Sequence, residues 1–578
     1  MKSVVLSAAA LAALAAFPAF AAAPTDQLNS ISDRLVELNL KFDPTIAYFA
    51  GLPAPTHRVW SDHSLANIRA FERTADQLHA EFRRIDPKTV TDKQDRIAYA
   101  LLKEAFEAEQ QARVCKSELW MGVSHMGGWH LGLSQVAKEQ PVETADERTQ
   151  ALERWGALDR FVDIEIANLR TGLAQGYSAP KPVVRRALKQ VEGLAAADPE
   201  KSPLFSPAER SNDGAFKASF RAVLADKANP ALKRYAEFLR TEYLPKARDT
   251  LGVGALPNGA ACYQASLRNY TTLNRTGQEV HDIGAKAVAG AMATAQDLGE
   301  KRFGTRDIGT IQARVNEAPD NKFSSEEELV GFSREVVTRA KQKSAVLFER
   351  MPEQEVKVEP FEAHMRGSGA SSHYNSQVDP SKPAYYRIAT DHWQKETRGS
   401  AEITAVHEAY PGHHMQIAFT RTLQQTPLAK LSFNSAYIEG WARYSEALAE
   451  EAGIYDTDYA LITRRMWPAR GMVADPGLHV LGWDRDKVLA FVRQSGRFAG
   501  EEGDELVDRM AIIPGQLTAY DSGGLEIRAL RAEAERELGA KFDIKGFHKA
   551  VLELGVVPLP ALRENVRAWI AAEKAKGG

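Results

Sequence analysis

The chain has 578 residues, 44% of them hydrophobic, and its 73 Lys and Arg nearly balance 76 Asp and Glu for a formal net charge of −3. This is ample material for the core of a large globular enzyme of about two to four domains, and it excludes a fibrous protein or a solvated binding tail. No basic cluster stands out, which excludes nucleic acid and anionic membrane surfaces as partners.

At the start, Lys2 precedes an apolar run from Val4 to Phe17, followed by Pro18 and the small-residue series Ala19-Phe20-Ala21-Ala22-Ala23. This is the layout of a secretory signal peptide over residues 1–23, cleaved near Ala21 or Ala23. The run is short of the roughly 20 residues that cross a bilayer, so an uncleaved anchor fits less well. The expectation is a soluble exported protein, periplasmic or secreted, with no stable membrane association after cleavage. The two cysteines, Cys115 and Cys262, lack the spacing of a metal knuckle. In an oxidising compartment they can pair, and closing so long a loop contributes on the order of 4 kcal/mol; two separate buried thiols are the alternative.

From Pro24 onward, long charged-apolar periodic segments such as Asp92 to Ala112, Glu147 to Gln175 and Asn229 to Thr250 predict helix after helix. The stretch Lys357 to Ile388 differs: Val358, His373-Tyr374, Val378 and Ala384-Tyr385-Tyr386-Arg387-Ile388, with Gly, Ser and Pro between, predict short strands and turns. The fold class is therefore mainly α, with a small β-sheet beside the helix that follows it. A soft boundary falls near residue 280, separating an N-terminal helical region, 24–280, from a catalytic region, 281–578.

Chemistry concentrates in His407-Glu408-Ala409-Tyr410-Pro411-Gly412-His413-His414, where three imidazoles and a carboxylate occupy eight positions after the helix-like run Ile403-Thr404-Ala405-Val406. In the motif H-E-x-x-H, two His one helical turn apart bind zinc, and the intervening Glu acts as general base on water held by the metal. Here the fifth position is Pro411, which removes a backbone donor and collides with the preceding turn, while Gly412 relaxes the chain, so a kink or bulge is expected. The second ligand then comes from beyond the break. His413 is the preferred residue, because on a straight helix seven residues span roughly 10 Å, too far for one metal; His414 remains the alternate ligand.

These residues, with Met415-Gln416 and Glu439-Gly440-Trp441-Ala442-Arg443-Tyr444, resemble a large bacterial family catalogued as a domain of unknown function and grouped with gluzincin-type zinc metallopeptidases. Further matching pieces are Gly127-Gly128-x-His130-Leu131, Leu267-Arg268-x-Tyr270-Thr271-Thr272, Asp475-x-Gly477-x-His479-x-x-Gly482-Trp483 and Pro514-Gly515-Gln516-x-x-x-Tyr520. The resemblance covers nearly the whole mature chain. It implies a mainly helical peptidase-like fold with one zinc ion, and an edge strand, Tyr385 to Ile388, whose backbone pairs with extended peptide.

A hydrolytic zinc site usually has three protein ligands, and Glu439 is the candidate third. It lies about 25 residues beyond His413 on a segment opened by Asn434 or Ser435, and shares a face with Arg443, Glu446 and Glu450 opposite Tyr437, Trp441, Tyr444 and Leu448. Any amphipathic helix shows such faces; the upstream motif and the resemblance together select Glu439. Glu446 is then placed to hold a ligand imidazole, and Gly440 suggests a close backbone approach. Tyr520 and His479 are candidates to stabilise an oxyanion, with Asp475 four residues before His479 to orient it. Arg470 and Arg528 are candidates for a substrate carboxylate. The expectation is a zinc-dependent peptide hydrolase: His407, His413 and Glu439 as ligands, Glu408 as general base, Tyr520 or His479 as oxyanion donor, and a peptide as substrate. An amidase or esterase on a non-peptide substrate, or a binding protein without turnover, are the alternatives.

Overall fold

Asp92 caps the helix foreseen after it: its carboxylate accepts from the Gln94 and Asp95 N–H groups, and the helix runs Lys93–Ala112. Thr144 and Glu147 form a reciprocal capping box that starts Ala145–Gly156, and a break at Ala157 divides the expected single helix from Leu158–Ala174. The segment from Asn229 ends at Lys246, where Ala247 turns extended.

The computed structural model describes residues 24–196, 198–362, 366, 371–498 and 500–576; the signal peptide inferred at residues 1–23 lies outside them. The fold is mainly α, 71% helical with a small three-stranded sheet. The elements that build the site are α1 (Gly259–Thr271), α2 (Gly277–Phe303), α3 (Glu326–Ser344), β1 (Val356–Pro360), β2 (His373–Asn375), β3 (Ala384–Ile388), α4 (Arg398–Glu408), α5 (His413–Arg421), α6 (Ser435–Glu451), α7 (Arg470–His479), α8 (Glu501–Ile512) and α9 (Gln516–Leu538). Among the described residues no helix is long and apolar enough to cross a membrane.

The strand order is β1-β3-β2, with β3 parallel to β1 and antiparallel to β2. Ala384, Tyr386 and Ile388 alternate into the core, as a strand with one buried face requires. This order corrects one expectation. β3 is the central strand, so the backbone of Tyr385 to Ile388 is engaged on both sides and has no free edge for a peptide; the free edge near the motif belongs to β2.

Two large cores hold the chain together. One gathers Trp120, Trp155, Phe220, Tyr235 and Tyr243, and also takes Ala469, Met472 and Ile512 from the far end of the sequence. The other lies between the sheet, α4 and α6, with Tyr386, Val406, Tyr410, Tyr437, Trp441 and Tyr444. Residue 280 sits inside α2, which packs on α7 so closely that a Cβ on Gly284 would meet Met472 Cβ at 2.6 Å. Cys115 and Cys262 form a disulfide across 147 residues, tying the end of the Lys93–Ala112 segment to α1.

The tightest helix pair is α6 against α9. At their crossing a Cβ on Gly440 would meet Gly523 C and Cα at 2.5 Å and Gly524 N at 2.8 Å, and one on Gly523 would meet Ala436 O at 1.7 Å. Glycine on both helices is thus a steric condition for the approach.

Candidate metal centre

Thr397 caps α4 by accepting from Ser400 N–H, and the helix ends at Glu408. Ala409 leaves helical geometry at φ −111, ψ −97, the Tyr410–Pro411 bond is cis, and α5 begins at His413. The strands of the break are held by Gly412 N–H on Val406 O (3.1 Å) and Met415 N–H on Ala409 O (3.3 Å). A Cβ on Gly412 would lie 2.0 Å from His407 O, so only glycine lets the chain fold back over the helix end. The two extra residues relative to H-E-x-x-H are absorbed in this loop. α6 grips it: Trp441 Nε1 (2.9 Å) and Ser445 Oγ (3.1 Å) both donate to Pro411 O.

The result brings His407, Glu408 and His413 together, with one potential ligand atom from each within 4.8 Å of the others. Their ring centroids place His407 and His413 4.7 Å apart and nearly perpendicular. Glu439, on the first turns of α6 behind its Asn434 cap, points one oxygen at both: Oε2 lies 3.5 Å from His407 Nε2 and 3.4 Å from His413 Nε2. That oxygen is buried and has no hydrogen-bond partner. The separations exceed an ordinary hydrogen bond but match the roughly 3.3 Å between neighbouring ligands of a tetrahedral ion bound at about 2.0–2.1 Å. The donor set therefore fits zinc.

Glu446, seven residues further along α6, accepts from His407 Nδ1 at 2.9 Å, leaving Nε2 to face inward, and Arg443 holds Glu446 at 2.8 Å. Burial would lower His407, but the carboxylates of Glu439, Glu446 and Glu408 outweigh it and push the imidazole up to about 10. Against its own burial, the two imidazoles hold Glu439 well below the carboxylate range, and Arg443 and His407 hold Glu446 at about 2.

Glu408 stands beside the ligand triangle, and its Oε2 accepts from Tyr374 N–H of β2 at 2.8 Å. Tyr374 faces Tyr386 across the ladder, and this N–H turns away from β3, so the outer edge of β2 runs beside Glu408. Tyr520, on the first turns of α9, lies with its ring 6.4 Å from that of His407 and accepts from Arg509 Nη2 at 3.1 Å. Its phenol is raised by burial and by the Glu439 charge.

Other expected site residues stand elsewhere. His414 is fully buried, with Nε2 on Gln354 O (3.0 Å) and Nδ1 at Tyr374 Oη (3.1 Å), so both nitrogens are occupied away from the ligand triangle. His479 is a core residue: Nδ1 accepts from Val253 N–H at 2.9 Å and Nε2 donates to Met510 O at 3.0 Å, which leaves no donor for an oxyanion. Asp475 does not orient it. Its Oδ1 accepts from Tyr263 Oη (2.7 Å) and Gly515 N–H (2.8 Å), with His479 Nε2 4.0 Å away. Arg470 is likewise spent on Met466 O and Phe491 O in the interior. Sequence reasoning did not reach Tyr374 as the backbone donor to Glu408, nor Arg509; the first carries no side-chain signal, and the second shows only as a polar residue on an amphipathic helix.

The chain belongs to a bacterial family described as "Bacterial protein of unknown function (DUF885)", which matches residues 44–566. Among solved structures it is similar to one titled as a "putative lipoprotein" from Colwellia psychrerythraea, 23% identical, covering 95% of this chain and 100% of that one with a TM-score of 0.84. A second, titled as a "putative lipoprotein of unknown function" from Shewanella oneidensis, is 20% identical over 94% of this chain and 99% of its own, with a TM-score of 0.74. These likenesses concern the fold. No curated protein matches the chain.

Proposed function

We propose that the protein is a zinc-dependent hydrolase of peptide bonds, of gluzincin-like type, acting outside the cytoplasm. The observation that carries this reading is the buried, unpartnered Glu439 Oε2 facing His407 Nε2 and His413 Nε2 at ligand spacing, with Glu408 alongside. His407, His413 and Glu439 hold the ion, whose contribution is Lewis acidity. Glu446 fixes the His407 ring through Nδ1. Glu408 takes the proton of the attacking water and passes it to the leaving amine, the exchange a carboxylate in this position is suited to. The Tyr520 hydroxyl, already accepting from Arg509, has its own proton free to donate to the oxygen that gains charge. On the outer edge of β2 the Tyr374 N–H holds Glu408 beside the ligand cluster. Export is supported by the signal-like start of the sequence and by the Cys115–Cys262 disulfide, a bond that persists in oxidising compartments.

The test combines metal analysis of the purified protein with digestion of a peptide library read by mass spectrometry. One zinc per chain and cleavage that stops with a chelator and returns with zinc are expected. A chain that binds no divalent ion, or a zinc-loaded chain that leaves every peptide intact, refutes the reading.

A further inference from the structure

We propose that the site selects peptides by a free C-terminal carboxylate, bound by Arg509, and therefore removes the C-terminal residue; this deepens the hydrolase reading and rests on it. Arg509, on α8, donates from Nη2 to Gln516 Oε1 at 2.6 Å and to Tyr520 Oη at 3.1 Å, both neutral acceptors. Its Nε is buried without a partner. Among the described residues no carboxylate hydrogen-bonds or ion-pairs with it, whereas three other arginines are matched: Arg443 with Glu446 at 2.8 Å, Arg465 with Glu450 at 2.5 Å, and Arg485 with Asp508 at 2.8 Å. The Glu439 and Asp475 carboxylates act on this guanidinium without touching it, so its unpartnered Nε is left to meet an anion from outside the chain.

Position identifies the anion. The Arg509 guanidinium lies 6.0 Å from the centre of the Tyr520 ring, and that ring lies 6.4 Å from His407. The cation thus stands one phenol away from the metal ligands. The two spans together reach at most about 12 Å, and an extended chain advances at most about 3.6 Å per residue, so a group bound at Arg509 lies within about three residues of the scissile bond. The α-carboxylate of a departing C-terminal residue has that position, and the planar guanidinium fork suits it in a way a hydrated ammonium does not. Of the arginines the sequence offered for this task, Arg470 is buried in the core on two carbonyls, and Arg528 is exposed and within the field of Asp521.

The zinc-loaded full-length protein would be given two peptides of one sequence, one ending in a free acid and the other in an amide, with products followed by liquid chromatography and mass spectrometry. Loss of single C-terminal residues from the acid is expected, with the amide at least about 30-fold slower, the scale of a lost charge-assisted hydrogen-bond pair. Arg509→Met and Arg509→Lys should lower kcat/KM for the acid, through KM, by about 30-fold more than for the amide, and retain zinc. Tyr520→Phe should slow both peptides alike and keep the preference for the acid. Internal cleavage of both peptides at equal rates overturns the proposal while leaving the hydrolase reading intact; so does an Arg509 variant that slows both equally, which would make Arg509 a positioning group for Tyr520. Neither peptide cut by zinc-bound protein overturns both. Should the Arg509 variants not fold, the acid and amide pair on the unaltered protein decides.

Discussion

Gly440→Ala tests whether the metal centre depends on the approach of α6 to α9. A Cβ at residue 440 would sit 2.5 Å from the backbone of Gly523, and ordinary contact begins at 3.4 Å, so the helices must part by about 0.9 Å. The obstacle is backbone on the opposing helix, which no rotamer change relieves. Overpacking of this kind costs about 1–3 kcal/mol. The displaced helix carries Glu439 next to the substitution, and a shift of that size exceeds the roughly 0.2 Å tolerance of a metal–ligand bond. Zinc affinity should fall at least about tenfold, the lower end of the loss seen when a ligand's support is removed. Gly331→Ala is the control: Gly331 lies within α3, a Cβ there meets nothing within 4 Å, and replacing a helical glycine should raise stability by roughly 0.5–1 kcal/mol. Competition against a zinc chelator, with thermal melting of the metal-free proteins, measures both effects. A Gly440→Ala protein with unchanged zinc affinity and melting temperature, or one indistinguishable from Gly331→Ala, would refute the packing argument.

Glu408→Gln should keep zinc bound and lose about 100-fold or more of turnover, since the amide cannot shuttle the proton; metal content and peptide cleavage measured together check this, and retained activity rules Glu408 out as base. Replacing Cys115 and Cys262 by Ser should lower stability by up to about 5 kcal/mol in the chain-entropy account of a 147-residue loop, read as a denaturation midpoint compared with the oxidised unaltered protein. Burial pushes His548 down to about 4 and His479 down to about 3. Unfolded imidazoles titrate near 6.5, so the unfolded chain binds more protons between that value and about 4; stability is full above about pH 6.5 and declines as pH falls through this window. His548→Gln should flatten the fall in melting temperature between pH 7 and pH 5, and equal slopes in both proteins would contradict the assignment.

What was legible in the chain was what is local. The helical periodicity and the Asp92 and Asn434 caps foretell helices because their causes lie within a few residues. The crowding from His407 to His413 and the disruptive Pro411 announce a broken metal helix for the same reason. Glu439 needed one further step, the phase of α6, and its convergence with the imidazoles depends on tertiary packing. Strand order was not legible: β3 looks like an edge in sequence and becomes central because β1 and β2 flank it through pairings that no local pattern encodes. His479 misled because its partners are distant, the N–H of Val253 standing 226 positions earlier. Arg509 stayed hidden because its significance is its place beside Tyr520 with Nε unpartnered, a property of its surroundings.

In an unbroken motif the pitch of one helix dictates how far apart two imidazoles open. Here His407 closes one rod and His413 begins another, joined by a loop whose Pro411 carbonyl is clasped by Trp441 and Ser445. The spacing of the two imidazoles is therefore governed from α6, by two side chains that grip the joint between the rods.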